Sequence, residues 1–304
     1  NIQLIDANTE ALGWGSIFTK NKDEFLDLQN EIATKLASEL KGGLAAGEAQ
    51  QLAQKATENP EAQAEYQAGR REWNKRSKEG FDNAIAHFEK AIELDPNYAD
   101  PYAGMADTYS LLPAYNFALP TDTMPKAKAY AEQAKKKNPN LAKAYTSLAW
   151  VLHQYEYDWK GAEENYRRAA ELNPNYATMN HWFGIFLSDI GKHNEAIKLT
   201  VKASELDPQS MIIKSTVAHT FLMAEQNTQA LKYCDKTFEI DPYFSFALWF
   251  EHAKINERNS KENIDHIKEA IRRYPNQPMH RKTLAEVYWN IGDREAAMEQ
   301  VIEL

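Results

Sequence analysis

Any chemistry in this chain has to come from eight histidines, one cysteine and a large set of carboxylates. A hydrolase needs a nucleophile beside a base, or paired carboxylates at a cleft, and a phosphate-handling enzyme needs a glycine-rich loop. None of these stands out. The histidines form no HExxH run and no i, i+4 pair, and Cys234 has no cysteine partner, so no metal-ligand spacing appears. The acidic residues gather in EIATKLASEL (31–40), GAEENYRRAAEL (161–172) and SKENIDHIKEA (260–270), with Lys or Arg a turn away, the pattern of solvated helix faces. The expectation is no catalytic site, no cofactor, no metal and no enzyme.

The elements that would have to position any site are helical and repeated. One phrase recurs: ELDPNY at 93–98, NPN at 138–140, ELNPNY at 171–176, ELDPQS at 205–210, EIDPYF at 239–244 and a degenerate RRYPNQ at 272–277. Its prolines stand at 96, 139, 174, 208, 242 and 275, at intervals of 43, 35, 34, 34 and 33. Proline lacks an N–H and biases the residue before it away from helix, so a helix must stop at each. Upstream, small residues recur where two helices would approach closely: Ala84 and Ala91, Ala127 and Ala134, Ala162 and Ala169, Ala196 and Ala203. Between them stands a filler, Phe88, Tyr166, Cys234 or Ile267, with Ala131 and Thr200 weaker. Cys234 therefore reads as a buried, inert thiol.

The bulk numbers agree with a folded helical chain. Its 304 residues carry a formal charge of −9, which argues against nucleic acid and acidic membranes as partners of this fragment. The longest strongly apolar stretch, Phe244 to Phe250, is far short of the ~20 residues a membrane helix requires. No membrane insertion is expected. A single cysteine leaves the compartment open.

Spacing, small–large–small order and terminal proline resemble the tetratricopeptide (TPR) repeat over roughly residues 61–304. The resemblance implies an all-α, right-handed superhelix of about six to seven helix-turn-helix repeats. The second unit departs from the pattern with about nine extra residues within LPAYNFALPTDTM, a loop expected to project. The sixth replaces two small residues with His252 and Asn263, expected to face one another and hydrogen-bond.

Residues 1–20 read as a β-hairpin, alternating apolar and polar on either side of ANTE, and 21–60 as a helical connector with amphipathic helices near 22–41 and 44–57. A lone hairpin is marginal in water. With Asn1 opening in mid-strand, it is expected to be the remnant of a longer protein's upstream domain. The order of LIDANTEALGW, IFTKNKDEFLDLQNEIATKLASEL and the first repeat resembles a bacterial family in which a TolB-like domain precedes TPR repeats, as in CadC-like regulators and TPR-bearing adenylate cyclases. That resemblance implies a signalling role as the appendage of a DNA-binding, cyclase or kinase module. The chain would be periplasmic if the whole protein is membrane-anchored and cytoplasmic otherwise.

In the TPR family the first helix of each pair lines the concave face. Carrying that register over places Tyr66, Arg70 and Trp73, then Trp150, His153 and Gln154, then His181, Ile185 and Ser188, then His219 and Met223, then Phe246, Trp249 and Asn256 on that face. Aromatics beside His, Asn and Gln suit an extended or helical peptide, although the same aromatics could pack between neighbouring helices instead. The basic clamp that some relatives use for a carboxyl terminus is replaced by Thr178, His181 and Ile185, or Ile212, Ser215 and His219, which argues against a chaperone-tail receptor. The expected function is a scaffold or sensor for a protein or peptide. An alternative is the regulatory appendage above, and a third is a targeting array of a glycosyltransferase. The apolar face from Leu284 to Val301 has no helix after it, so self-association through the C-terminal end is also expected.

Overall fold

A computed structural model of the chain describes residues 2–5, 12–16, 32, 35, 56–249, 260–275 and 277–304. Strands β1 (Ile2–Ile5) and β2 (Leu12–Ser16) pair antiparallel, Ile2 opposite Ser16 and Leu4 opposite Trp14, as the alternation predicts. Apart from Ile32, Lys35 and residues 56–60, the connector lies outside the described residues. So do His252 and Asn256.

The described residues from 60 onward form helices in pairs. They are α1 (Pro60–Asn74) and α2 (Lys78–Leu94), α3 (Ala99–Leu111) and α4 (Pro120–Lys137), α5 (Ala142–Val151) and α6 (Trp159–Leu172). Next come α7 (Ala177–Asp189) and α8 (His193–Leu206), α9 (Met211–Met223) and α10 (Asn227–Phe238), α11 (Ser245–Leu248) and α12 (Ser260–Arg273), and α13 (Pro278–Asn290) and α14 (Arg294–Ile302). The chain divides into two compact units, residues 1–147 and 148–304, with the boundary inside α5.

Each helix stop has a local cause. Asp95, Asn138, Asn173 and Asp207, just before the repeat prolines, leave the helical conformation while their N–H groups donate to Ala91, Ala134, Ala169 and Ala203. The side chains of Asp95, Asn138, Asn173 and Asp241 each accept from the backbone N–H two residues on, at 2.9 to 3.1 Å. The recurrent D/N-P phrase is thus an Asx turn locked by proline. Tyr102 and Tyr145 hydroxyls then donate to the carbonyls of Pro96 and Pro139, tying the next helix to the turn.

Close approach of helices depends on the small residues. Phe88 of α2 is fully buried between Gly69 of α1 and Gly104 of α3. A methyl group at Gly69 would lie 2.5 Å from the Phe88 ring, and one at Gly104 would lie 2.7 Å from it. Burying such a ring contributes about 1.5–3 kcal/mol. In the second unit Gly184 of α7 faces Thr200 of α8 in the same way. Cys234 is buried in α10, where the repeat pattern puts a filler.

The insertion does not project. Residues 112–119 fold back so that Tyr115 and Phe117 stack on one another and both meet Phe81 edge-on, at centroid distances of 5.6 and 6.1 Å. Asn116 takes the left-handed conformation that turns the loop, and Pro120 then opens α4. Three aromatic rings are cheaper to bury together than to leave in water, and of the loop's large apolar side chains only Leu119 is exposed.

Candidate functional site

First helices of successive pairs touch one another within each unit, α1 with α3, and α7, α9, α11 and α13 in turn, whereas successive second helices scarcely meet. Each unit therefore has a face made of first helices alone; Arg70 and Trp73 belong to α1, Trp150 to α5, His181 and Ser188 to α7, and His219 and Met223 to α9, while Asn256 lies outside the described residues.

In the first unit that face is a polar network. Arg70 of α1 donates to Asp107 of α3 at 2.8 Å, and Ser147 of α5 donates to the other oxygen of Asp107 at 2.6 Å. Asp107 is 1% exposed, so burial pushes its carboxyl up, against the Arg70 guanidinium and the Ser147 hydroxyl, which pull it down. Trp73 is buried between two guanidinium groups, with Arg70 4.0 Å and Arg76 3.4 Å from its ring centre. Lys143 donates to the Tyr66 hydroxyl at 2.9 Å and pairs with Asp100.

In the second unit the face is aromatic and histidine-bearing. Trp150 packs on Trp182 of α7 at 4.6 Å between centroids, and His153 meets Phe186 edge-on at 5.2 Å. After Val151 the helix widens into a π-helical turn, Leu152–Glu156, and His153 on that turn bonds Asp189 of α7 at 2.9 Å. His181 bonds Thr216 of α9 at 2.9 Å, and Trp249 donates to Glu286 of α13 at 2.8 Å. Burial pushes His219 down, with Asp189 opposing.

Of the residues named from sequence, Trp73, Trp150, His153, His181 and Ser188 are buried in the helix packing. Arg70, Gln154, His219 and Trp249 are partly exposed, and Met223 is 45% exposed. Asp107, Ser147, Trp182, Asp189 and Glu286 complete these contacts and were not singled out by the repeat register. Asp107 carried a signal: it is a lone carboxylate in the otherwise small and apolar run GMADTY.

His153 and Asp189 form a base–carboxylate pair without a nucleophile. The other ring nitrogen of His153 faces Gln154, and the Ser188 hydroxyl is buried with no hydrogen-bond partner. Among the described residues no group of three or more His, Cys, Asp or Glu side chains could hold a metal ion, and no helix is long and apolar enough to cross a membrane.

A family model described as TPR repeat matches residues 75–112. The chain is 21% identical over 223 residues to Protein O-mannosyl-transferase TMTC3 of Homo sapiens, covering 71% of this chain and 24% of that protein. It is 32% identical over 85 residues to Small glutamine-rich tetratricopeptide repeat-containing protein 2 of Mycosarcoma maydis, covering 28% of this chain and 24% of that one. The chain thus spans 24% of the length of these curated relatives. Among solved structures it is similar to TTC0263, a thermophilic TPR protein of Thermus thermophilus, at 18% identity and a TM-score of 0.48, covering 60% of this chain and 92% of that one. The family match concerns the repeat alone and says nothing of the TolB-like resemblance of the leading segment. The matched stretch spans α2 and α3, so the chain carries a TPR repeat there, and the same proline-ended helix pair recurs through the described residues.

Proposed function

We propose that this chain is a non-catalytic scaffold that holds a peptide or protein against its first helices. The observation that supports this reading is a division of surface chemistry between the two kinds of helix. Most exposed ion pairs belong to the second helices: Lys78–Asp82 and Lys90–Glu93 on α2, Arg167–Glu163 and Arg168–Glu171 on α6, Arg272–Glu269 and Arg273–Glu269 on α12; the first helices contribute Lys75–Glu72 at the end of α1 and Arg281 of α13, which pairs with Glu303. Such pairs stay solvated and contribute little to binding or stability. The partly exposed side chains of the second unit's first helices include Ile185, His219, Met223, Phe246 and Trp249, which give up less hydration on contact than the charged Asp189, Lys214, Lys282 and Glu286 on the same helices. The buried networks beneath them fix the backbone, so little ordering cost is left for binding.

Selection from a displayed peptide library on the purified chain tests this. Enriched peptides should bind the chain and lose about ten-fold in affinity on Met223→Glu or Ile185→Glu, because an inserted charge costs about 1.4 kcal/mol or more at a desolvated contact. A selection that enriches nothing, or peptides indifferent to both variants, refutes the proposal.

A further inference from the structure

The π-helical turn that aims His153 at Asp189 also ends in an unusual residue. Tyr157 takes the left-handed conformation, φ 56°, which bulky side chains seldom adopt, and its ring is 67% exposed. Two residues on, Trp159 opens α6 at 43% exposure. The two rings are 6.4 Å apart and tilted by 48°. The inner edge of Trp159 rests on His153 at 5.4 Å and Phe186 at 6.1 Å, so the indole is held from behind while its outer side meets solvent.

The surrounding charge is acidic. Glu156, Asp158 and Asp189 are exposed around the ring pair; Asp158 also caps α6 through the Gly161 N–H at 2.9 Å, and Asp189 holds His153. The nearby cations have partners, Lys160 facing Glu164 at 3.9 Å and Lys192 bonded to Glu163 at 3.0 Å. Elsewhere the chain seats its own cations on three of its tryptophans: Arg76 lies 3.4 Å from the ring centre of Trp73, Lys282 5.0 Å from Trp249, and Arg294 3.6 Å from the exposed Trp289. Trp159, the other exposed tryptophan among the described residues, has a carboxylate-rich rim instead.

We infer that Tyr157 and Trp159 form a docking surface for a lysine- or arginine-bearing peptide segment, the ring faces taking the cation and Glu156, Asp158 and Asp189 supplying the field that draws it in. The inference rests on the peptide-holding reading above and adds to it a place and a charge class. An acidic segment would meet three like charges here, and a neutral one would gain neither the ring quadrupole nor the field.

The test is fluorescence anisotropy on the full chain with three dye-labelled probes of equal length: alternating glycine and lysine, glycine and glutamate, and glycine and glutamine. The lysine probe should bind, more weakly as salt rises, and the glutamate probe should not. Trp159→Ala should weaken lysine-probe binding about five-fold, the magnitude of an exposed cation–π contact. Tyr157→Gly should weaken it about two-fold or more; glycine suits the left-handed backbone, so this variant keeps the fold if Trp159→Ala does not. Equal binding of the three probes, or a lysine probe indifferent to both variants, overturns the inference and leaves the peptide-holding reading standing. Binding of none overturns it too, and the library selection then decides separately whether the broader reading falls.

Discussion

Gly104→Ala is the sharpest test of how the helix pairs are seated. The added methyl would meet three Phe88 ring atoms at 2.7 to 2.8 Å, well inside the ordinary contact distance. The ring has nowhere to retreat, because Gly69 sits on its other side with the same shortage of space, at 2.5 to 3.0 Å. Overpacking of this kind costs about 1–3 kcal/mol. Alanine returns about 0.5–1 kcal/mol through its better helix propensity, leaving a net loss of about 1–2 kcal/mol. Urea unfolding followed by far-UV circular dichroism should show a lower midpoint with an unchanged slope. Phe88→Leu on its own should destabilise by removing ring contacts, but Gly104→Ala combined with Phe88→Leu should lose less than the sum of the two, since the smaller side chain makes room for the methyl. A neutral or stabilising Gly104→Ala, or strict additivity of the pair, would mean that α2 and α3 do not approach as described.

Arg70→Met should cost about 3 kcal/mol near neutral pH by leaving Asp107 buried without its cation. Because burial already raises the Asp107 pKa, its protonated form favours the fold, and that contribution is lost as pH rises through the folded value; the Arg70→Met penalty should therefore shrink on acidification in urea melts at several pH values. His219, His266 and His280, all in the second unit, have pKa values lowered chiefly by burial, so they favour the fold above the ordinary histidine value and that contribution is lost as pH falls through the lowered ones. Hydrogen exchange should show the second unit loosening on acidification, and replacing the three with glutamine should flatten that dependence. Phe117→Ala should cost about 1–2 kcal/mol, less than a fully buried aromatic, and should expose Tyr115 to fluorescence quenchers; a neutral effect would put the 112–119 loop in solvent after all.

The framework of the fold was legible because its signals are local. A proline after Asp or Asn stops a helix wherever it occurs, and small residues mark contacts that recur at one period, so the helix pairs from 60 to 304 could be read from 93–98, 171–176 and their copies. The insertion was misread because proline only says where helices end; that Tyr115 and Phe117 find Phe81 depends on a side chain 34 and 36 residues away in sequence. The π-helical turn at 152–156 left no signal in composition, because a widened turn requires no particular residue type.

The candidate site was legible by helix and not by exposure. Trp150, His153 and His181 do lie on first helices, but whether an aromatic there meets solvent depends on its partner across the next helix, such as Trp182 for Trp150. Asp107 was missed for a related reason: a carboxylate in an apolar run signals burial, while its partners Arg70 and Ser147 lie 37 and 40 residues away.

A scaffold of this kind should meet its ligand on first helices and the turns that end them, and leave the second helices α8 and α10 free. Photo-crosslinking with a library-selected peptide tests this most directly, placing the photoreactive residue in turn at Gln154, Ile185 and Met223 on first-helix segments and at Lys198 and Lys232 on second helices. Adducts are expected from the first three positions and none from the last two; adducts from Lys198 or Lys232, with silence at the others, would contradict the proposed function.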